Sequence, residues 1–274
     1  MPSKRQQALS ERRQEKRARR QRRRRIILFL VEGPSEVRAL EPPIAAMLDT
    51  VDGSIDVKFQ EMCDRHRHTR SEREGGDVTS KTGVEPDNVA HVVGKVFLTP
   101  FFRKSGLYPT DVERIVHIVD TDGCFIPDDC IERSEDGAAG YVYTDERLLV
   151  PSVEEAIERN ARKRENVLRL ASLSSIKAGS KSVPYGLYFF SANMDHFLYG
   201  EANLGRSLKE SMAKEFADAC CRRPSLFYEL VQGDERYCRC DHATSWERIR
   251  EGTESLRAHS NLGVLVGELM GDRA

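Results

Sequence analysis

Two short apolar runs, each followed directly by acidic residues, constrain this fold more than any other part of the sequence. The runs cover residues 26–31 and 115–119. Both are rich in β-branched residues and nearly continuous, which is typical of strands buried on both faces of a parallel sheet. Because ligands bind beyond the carboxyl ends of such strands, we expect the acids that follow to meet at one edge of the sheet. These acids are Glu32, Glu36, Asp120 and Asp122.

Four carboxylates at one edge repel one another unless a cation lies between them, and Mg²⁺ or Mn²⁺ suits oxygen ligands. Side chains alternate along a strand, so Asp120 and Asp122 are predicted to share a face. Glu36 follows Glu32 by one helical turn, so both are predicted to face the same ion or ion pair. The alternative is local: Asp and Gly favour strand-end turns, and acids favour helix N-termini.

This arrangement resembles the TOPRIM domain, the topoisomerase–primase fold. The resemblance lies in a strand followed by Glu32-Gly33 and a later strand ending in Asp120-Thr121-Asp122. The string Val31-Glu32-Gly33-Pro34-Ser35-Glu36 is most similar to the first motif of the OLD-type (overcoming lysogenization defect) nucleases, although Glu36 stands where Asp is commoner. The resemblance to the TOPRIM domain covers roughly residues 25 to 200. The chain lacks the Walker A loop of the ATPase that many OLD-type proteins carry.

The resemblance implies a Mg²⁺- or Mn²⁺-dependent nuclease with Glu32, Asp120 and Asp122 as catalytic residues, acting in bacterial defence or mobile-element conflict, with a separate ATPase as a candidate partner. Asp195, after a later strand, is a candidate fifth ligand, although a first-turn helix acid is the favoured interpretation. Two ions suit phosphodiester hydrolysis, whereas one ion with Glu32 as general base suits nicking or strand transfer. Topoisomerases carry a third acid where this chain has Cys124.

Two rival functions fit the same motifs. One is a catalytically silent TOPRIM-like module that holds nucleic acid for a partner. The other is a ribonuclease similar to the TOPRIM-containing maturases of ribosomal RNA. Each rests on resemblance to a fold, which does not by itself assign a function.

Charge is divided unevenly along the chain. Residues 1–25 contain 12 Lys/Arg and 2 Asp/Glu, whereas the remainder contains 31 basic and 42 acidic residues. Arginine binds phosphate bidentately, so we expect this disordered or helical arm to bind nucleic acid. The expected partner is DNA in preference to RNA, a choice that these arginines do not make. The alternative is a solvated charged tail that keeps the protein soluble or docks on its own acidic body. The arginines concerned are Arg19, Arg20, Arg22, Arg23, Arg24 and Arg25.

The predicted fold class is α/β, with a short, mainly parallel sheet flanked by helices over residues 26–200 and a helical C-terminal extension over 201–274. Further strands are predicted at 55–60 and 185–190, and a mobile loop at 64–83. An irregular acidic loop is predicted at 126–148. Helices are predicted at 34–48, 86–103, 151–173, 206–221, 224–232, 244–257 and 260–270.

Two of these helices carry further predictions. The helix at 151–173 is expected to expose Arg159, Arg162, Lys163 and Arg164. The apolar face of the last helix is expected to cap the sheet or to join a homodimer.

The remaining features concern location and thiols. No apolar run approaches the ~20 residues that span a bilayer and no signal peptide is recognisable, so we expect a cytoplasmic protein with reduced cysteines. Cys238, Cys240 and His242 form a Cys-x-Cys-x-His string that is tighter than usual zinc spacing. Ordinary loop and core thiols are the favoured interpretation, with a zinc clip as the alternative.

Overall fold

The structure is a computed structural model that describes residues 25–51, 53–62, 77–135 and 140–271. Its centre is a five-stranded sheet in the order β2-β1-β3-β8-β7. Strands β1, β2, β3 and β8 run parallel, and β7 pairs antiparallel with β8 at one edge. The predicted α/β class is therefore confirmed. The strands are β1 Arg25–Val31, β2 Ile55–Glu61, β3 Val112–Asp120, β7 Ser175–Ala178 and β8 Lys181–Phe190.

Both faces of the sheet are buried, as the continuous apolar runs predicted. Along β1, Ile26, Leu28 and Leu30 contribute to one apolar cluster. The alternating residues Ile27, Phe29 and Val31 contribute to a second cluster on the opposite face. A strand covered on both sides needs apolar residues at every position, which explains why the sequence lacks polar alternation here.

Helices cover the two faces. Helices α1, α6, α7 and α10 supply the cluster around Phe29, whereas α2, α4, α8 and α9 supply the cluster around Leu28. A π-helical turn at Val93–Leu98 joins α2 to α3. The helices are α1 Pro34–Val51, α2 Val89–Val92, α3 Thr99–Ser105, α4 Val153–Ala171, α5 Met194–Tyr199, α6 Arg206–Arg222, α7 Ser225–Gly233, α8 Glu235–Cys238, α9 His242–Arg248 and α10 Leu262–Met270.

Two predicted loops contain ordered elements. The stretch 126–148 was predicted to be irregular, but it contributes to a small sheet of β4 (Ile131–Arg133), β5 (Val142–Tyr143) and β6 (Leu148–Val150). Within the predicted mobile loop, residues 63–76 lie outside the described ranges. Asp77, Val78 and Thr79 are buried, so that prediction is wrong for this end of the loop.

The C-terminal part is helical, as predicted, with one difference in extent. The helix predicted at 244–257 ends at Arg248, and a 3₁₀ turn follows at Glu254–Leu256. In α10 the side chains of Leu262, Leu265 and Val266 are buried against the sheet, so its apolar face caps the sheet. Within the described ranges, no helix is both long enough and apolar enough to cross a membrane.

Candidate functional site

The carboxyl ends of the three adjacent parallel strands β1, β3 and β8 form an acidic edge. Glu32 follows β1 directly, Asp120 ends β3, and Asp195 lies in the first turn of α5 just after β8. The backbone N–H of Asp120 donates to Glu32 Oε1 at 3.2 Å, and that of Met194 donates to Asp120 Oδ1 at 3.0 Å. The topology therefore brings acids from three separate segments of the sequence to one place.

A tight turn, and not strand alternation, places Asp122 at this edge. Strand β3 ends at Asp120, and Asp122, in the turn that follows, has a left-handed backbone with φ of 49°. The prediction that strand alternation places Asp120 and Asp122 on one face is therefore wrong. The N–H of Asp122 donates to the carbonyl of Ala192 at 2.8 Å, and Ala192 is also left-handed, with φ of 51°. Non-glycine residues in this conformation are uncommon and cluster at functional sites.

Glu32 and Asp120 lie in an environment that disfavours their charged forms. Burial first, and then the nearby charges of Asp77, Asp122 and Glu36, raise the pKa of Glu32 well above its ordinary value, although Lys163 partly offsets this. Burial and the charges of Glu32, Asp122 and Glu36 likewise raise the pKa of Asp120. Negative charge in this region is therefore undercompensated by the protein itself.

Lys163 lies inside the acidic edge, which the sequence did not predict. Its side chain is 0% exposed, and its Nζ lies 2.6 Å from Asp122 Oδ2 and 2.8 Å from Asp77 Oδ2. Burial alone lowers the pKa of Lys163, but Asp122, Asp77 and Glu32 outweigh it and raise that pKa well above its ordinary value. The prediction that α4 exposes Lys163 is wrong, because this side chain points toward the carboxylates.

Asp77 is the second residue that the sequence missed. Burial alone raises the pKa of its carboxyl, but the charge and hydrogen bonds of Lys163 and a bond from Thr79 outweigh burial and lower that pKa. The N–H of Thr79 donates to Asp77 Oδ1 at 2.8 Å. Asp77 therefore stays ionised and fixes one side of Lys163.

Two further side chains contact Asp122. The Arg159 guanidinium lies 3.4 Å from Asp122 Oδ2, donates to the Asp122 carbonyl at 3.1 Å and stacks 4.6 Å from the Tyr141 ring centroid. Its side chain is only 18% exposed, so the predicted exposure of Arg159 is wrong as well. The hydroxyl of Tyr143, on β5, donates to Asp122 Oδ1 at 3.2 Å. The small sheet thus contributes to the site.

Glu36 and Asp195 form the other side of the acidic edge. Burial raises the pKa of Glu36, and the charge of Asp195 adds to this, whereas a hydrogen bond from Ser35 and the charge of Lys209 act against it. Asp195 is 2% exposed, and its Oδ2 pairs with Lys209 Nζ of α6 at 2.5 Å. Asp195 Oδ1 is buried and has no hydrogen-bond partner among the described residues. As predicted, Asp195 is a first-turn acid, with Asn193 as the N-cap.

The chemistry of these residues fits a hard divalent cation, since every ligand atom offered is a carboxylate oxygen and negative charge is undercompensated. As they stand, however, no three His, Cys, Asp or Glu side chains within the described ranges are arranged to hold a metal ion. One physical reason is that Asp122 turns its carboxylate toward Lys163, Arg159 and Tyr143. The ligand assignments of Glu32, Glu36, Asp120, Asp122 and Asp195 therefore remain predictions.

The predicted nucleic-acid-binding arginines fall almost entirely outside the described residues. Of the six, only Arg25 is described, and its Nε donates to Glu113 at 2.6 Å. Arg25 begins β1 and Glu113 lies near the start of β3, so this ion pair marks the edge opposite the acids. Residues 1–24 therefore join the fold at the start of β1, and the length of this strand, about 20 Å, separates that point from Glu32.

The three residues of the candidate zinc clip each contact a different backbone carbonyl. Cys238 Sγ lies 3.2 Å from the Gln232 oxygen, and Cys240 Sγ lies 3.2 Å from the Tyr237 oxygen. His242 Nε2 lies 2.6 Å from the carbonyl oxygen of Leu187.

Comparison with known proteins identifies no relative: no family, no curated protein and no solved structure matches this chain.

Proposed function

We propose that this protein is a divalent-metal-dependent nuclease that hydrolyses nucleic-acid phosphodiesters. The observation that carries the proposal is the meeting of Glu32, Asp120 and Asp122 at the carboxyl edge of a parallel sheet, with the pKa values of Glu32 and Asp120 raised by burial and mutual repulsion. Carboxyl groups perturbed in this way, at the edge where such sheets bind ligands, are candidates for a functional site. The resemblance of both motifs to the TOPRIM domain of OLD-type nucleases supports the same assignment.

The residues of this edge divide into two groups. Glu32, Asp120 and Glu36 carry the undercompensated charge and would hold Mg²⁺ or Mn²⁺. Such an ion, when bound, supplies an activated water and stabilises the charge on the leaving oxygen. Asp122 pairs with Lys163 and Arg159. Of these two cations, Lys163 is fully buried, so Arg159, whose side chain is 18% exposed, is the one that a phosphate approaching the edge would meet.

The basic arm gives this proposal its substrate class. Twelve Lys/Arg within residues 1–25 offer a sequence-independent attraction to phosphates. The arm joins the sheet at the edge opposite the acids, so it would bind nucleic acid beyond the bond being cleaved, or loop back toward the acidic edge. DNA is the proposed substrate, in a setting of bacterial defence or mobile-element conflict, with a separate ATPase as a proposed partner.

The test is cleavage of a supercoiled plasmid and of a structured RNA, each with Mg²⁺, with Mn²⁺ and with EDTA. We expect divalent-dependent nicking or linearisation of the plasmid, lost in Asp120→Asn. A matched control is Asp111→Asn, since Asp111 lies in the 3₁₀ turn that precedes β3 at its opposite end. Cleavage of RNA alone would replace the proposal by a ribonuclease, and equal rates for wild type and Asp120→Asn would refute it.

A catalytically silent nucleic-acid-binding protein is the second candidate. The observation that favours it is the engagement of Asp122 by Lys163, Arg159 and Tyr143, which leaves this carboxylate already satisfied. This candidate predicts DNA binding that does not change on addition of divalent ions, with no cleavage of either substrate.

A further inference from the structure

We propose that the amino end of the sheet carries a binding surface for single-stranded nucleic acid, on which a base stacks against Tyr108 and phosphates contact the lysines around it. This surface lies at the end of the sheet opposite the acidic edge, so the inference goes beyond the proposed cleavage. It depends neither on a metal ion nor on hydrolysis.

Two adjoining cavities lie at this end of the sheet, beside the turn that joins β7 to β8. Their volumes are about 430 Å³ and 370 Å³, and both are lined by Thr99 of α3 and Gly179 of the turn. The π-helical turn Val93–Leu98 packs so closely against β7 that a Cβ at Gly94 would collide with the carbonyl of Lys177. The cavities are therefore formed between packed backbone segments, as preformed ligand sites are, and π-helical turns are frequent at functional sites.

The side chain of Tyr108 lines the smaller cavity and is exposed to solvent. Its exposed fraction is 71%, the largest among the exposed large hydrophobic side chains of the described residues. Its backbone is fixed by a 3₁₀ turn, in which the N–H of Asp111 donates to the Tyr108 carbonyl at 2.8 Å and Pro109 restricts the chain further. A ring on a rigid turn loses little conformational entropy on binding, and every base offers an aromatic face on which it can stack.

The charge around Tyr108 suits phosphate. Lys95, Lys177 and Lys181 line the two cavities, and Asp87 is the one carboxylate among the described lining residues. All three lysines are exposed, and within the described ranges none of them forms an ion pair. Residues 26–274 contain 31 basic and 42 acidic residues, so this surface is a local exception to an acidic body. Unpaired cations beside an exposed aromatic ring are the combination that binds single strands without sequence preference.

The basic arm joins the fold beside this surface. Ile26, the second residue of β1, pairs with Val112, and Tyr108 precedes Val112 by four residues. Four residues span at most about 14 Å, so the arm and the surface can contact the same nucleic-acid strand. The acidic edge is farther away, because the 10 residues of β8 separate Lys181 from that edge by about 30 Å.

The experiment measures the fluorescence anisotropy of labelled oligothymidylate and oligouridylate of about 20 nucleotides, and of a DNA duplex of equal length, with the full-length protein in EDTA. Tyr108→Ala should raise the Kd for the single strands at least about fivefold, because the stacking of one base is lost. Its effect on the duplex should be negligible, since duplex bases are already stacked on one another. Tyr108→Phe keeps the ring and should bind as wild type does.

The contribution of the lysines is measured by the dependence on salt. Lys181→Gln should lower the slope of log affinity against log salt by about 0.7, which corresponds to one phosphate contact on a single strand. Tyr108→Ala should leave this slope unchanged, because stacking releases no counterion. The matched control is Lys214→Gln, since Lys214 is also exposed but lines a cavity between α1 and α6 on the opposite face of the sheet. Its slope should equal that of the wild type.

A loss of affinity in Tyr108→Ala that is confined to single strands supports the inference, and the single strand that binds more tightly identifies DNA or RNA. An equal loss for duplex and single strands, or no loss at all, overturns it. A wild type that binds neither single strand also overturns it, as do equal changes of slope in Lys181→Gln and Lys214→Gln. Because no cleavage is measured, none of these results decides whether the protein is a nuclease.

Discussion

Replacing Lys163 by Met in the metal-free protein is expected to lower the free energy of unfolding by about 3 kcal/mol. Breaking a buried ion pair by removing one partner costs about 3–5 kcal/mol, because the remaining charge is left buried and uncompensated. The lower end applies here, since Thr79 still donates to Asp77 and Tyr143 still donates to Asp122. A domain of ordinary stability, about 5–15 kcal/mol, remains folded after such a loss.

The size of this loss depends on pH with a definite sign. The pKa of Asp77 is lowered in the folded protein, so the stability that it gains from Lys163 is complete above its ordinary pKa of 3.8. That stability is lost as pH falls from there toward the lowered value, because the carboxylate becomes protonated. We therefore expect the difference between wild type and Lys163→Met to be full at neutral pH and to shrink in acid.

The assay is urea unfolding in EDTA, followed by circular dichroism at neutral and acidic pH. Arg162→Met is the matched control, because it removes one cation from the same helix together with a single hydrogen bond to Ser80. It should cost about 0.5–1.5 kcal/mol, with little dependence on acid. A loss below about 1 kcal/mol for Lys163→Met, or a loss that grows in acid, would show that this lysine does not hold the two carboxylates as described.

Four further predictions follow from the acidic edge and the arm. Asp120→Asn should abolish divalent-dependent cleavage yet stabilise the metal-free protein against urea, because it removes a charge that burial and Glu32 disfavour. Glu32→Gln should abolish plasmid cleavage at every metal concentration, whereas Glu36→Gln should recover partly with Mn²⁺, which tolerates less regular ligand sets. Because the folded-state pKa values of Glu32 and Asp120 are raised, these two groups should lower metal-free stability as pH rises above their ordinary pKa values of 4.5 and 3.8, and saturating Mg²⁺ should reverse this effect. Deleting residues 1–24 should flatten the plot of log affinity for duplex DNA against log salt by about 0.9 per lost phosphate contact.

Each of these predictions has a result that contradicts it. Asp120→Asn that is less stable than wild type in EDTA would mean that its carboxylate is favourably paired. If Glu36→Gln keeps wild-type activity in both metals, Glu36 is only an acid that favours the start of a helix, and the similarity of the first motif to OLD-type nucleases is a coincidence. If the stabilities of the wild type and of Asp120→Asn change with pH in the same way, this result would contradict the raised pKa of Asp120. An unchanged salt slope would make the arm a solubility tail or a docking segment.

Much of the fold follows from local pattern. The apolar runs at 26–31 and 115–119 predict strands covered on both faces, and the structure places both in the middle of a parallel sheet. Residue position along the strand then suffices to place Glu32 and Asp120 at its carboxyl edge. The order in which the strands pair is not local, and the sequence did not specify it.

The sequence contains one signal that Lys163 is buried. In α4 the buried residues Ala156, Asn160, Val167 and Leu170 recur at intervals of three or four residues, and Lys163 occupies the remaining position of that stripe. A lysine within a buried helical stripe indicates a partner of opposite charge in the interior, since an unpaired buried ammonium is very costly.

The identity of that partner depends on the tertiary structure. Asp77 and Asp122 are separated from Lys163 by 86 and 41 residues, and Asp77 lies in a stretch whose sequence predicts a mobile loop. Strand and helix patterns extend over a few residues, so they determine which side chains face inward but not which of them meet. The acidic edge was therefore determined by the sequence, and the buried lysine that neutralises half of it was decided by the packing of α4 and the Asp77 segment against the sheet.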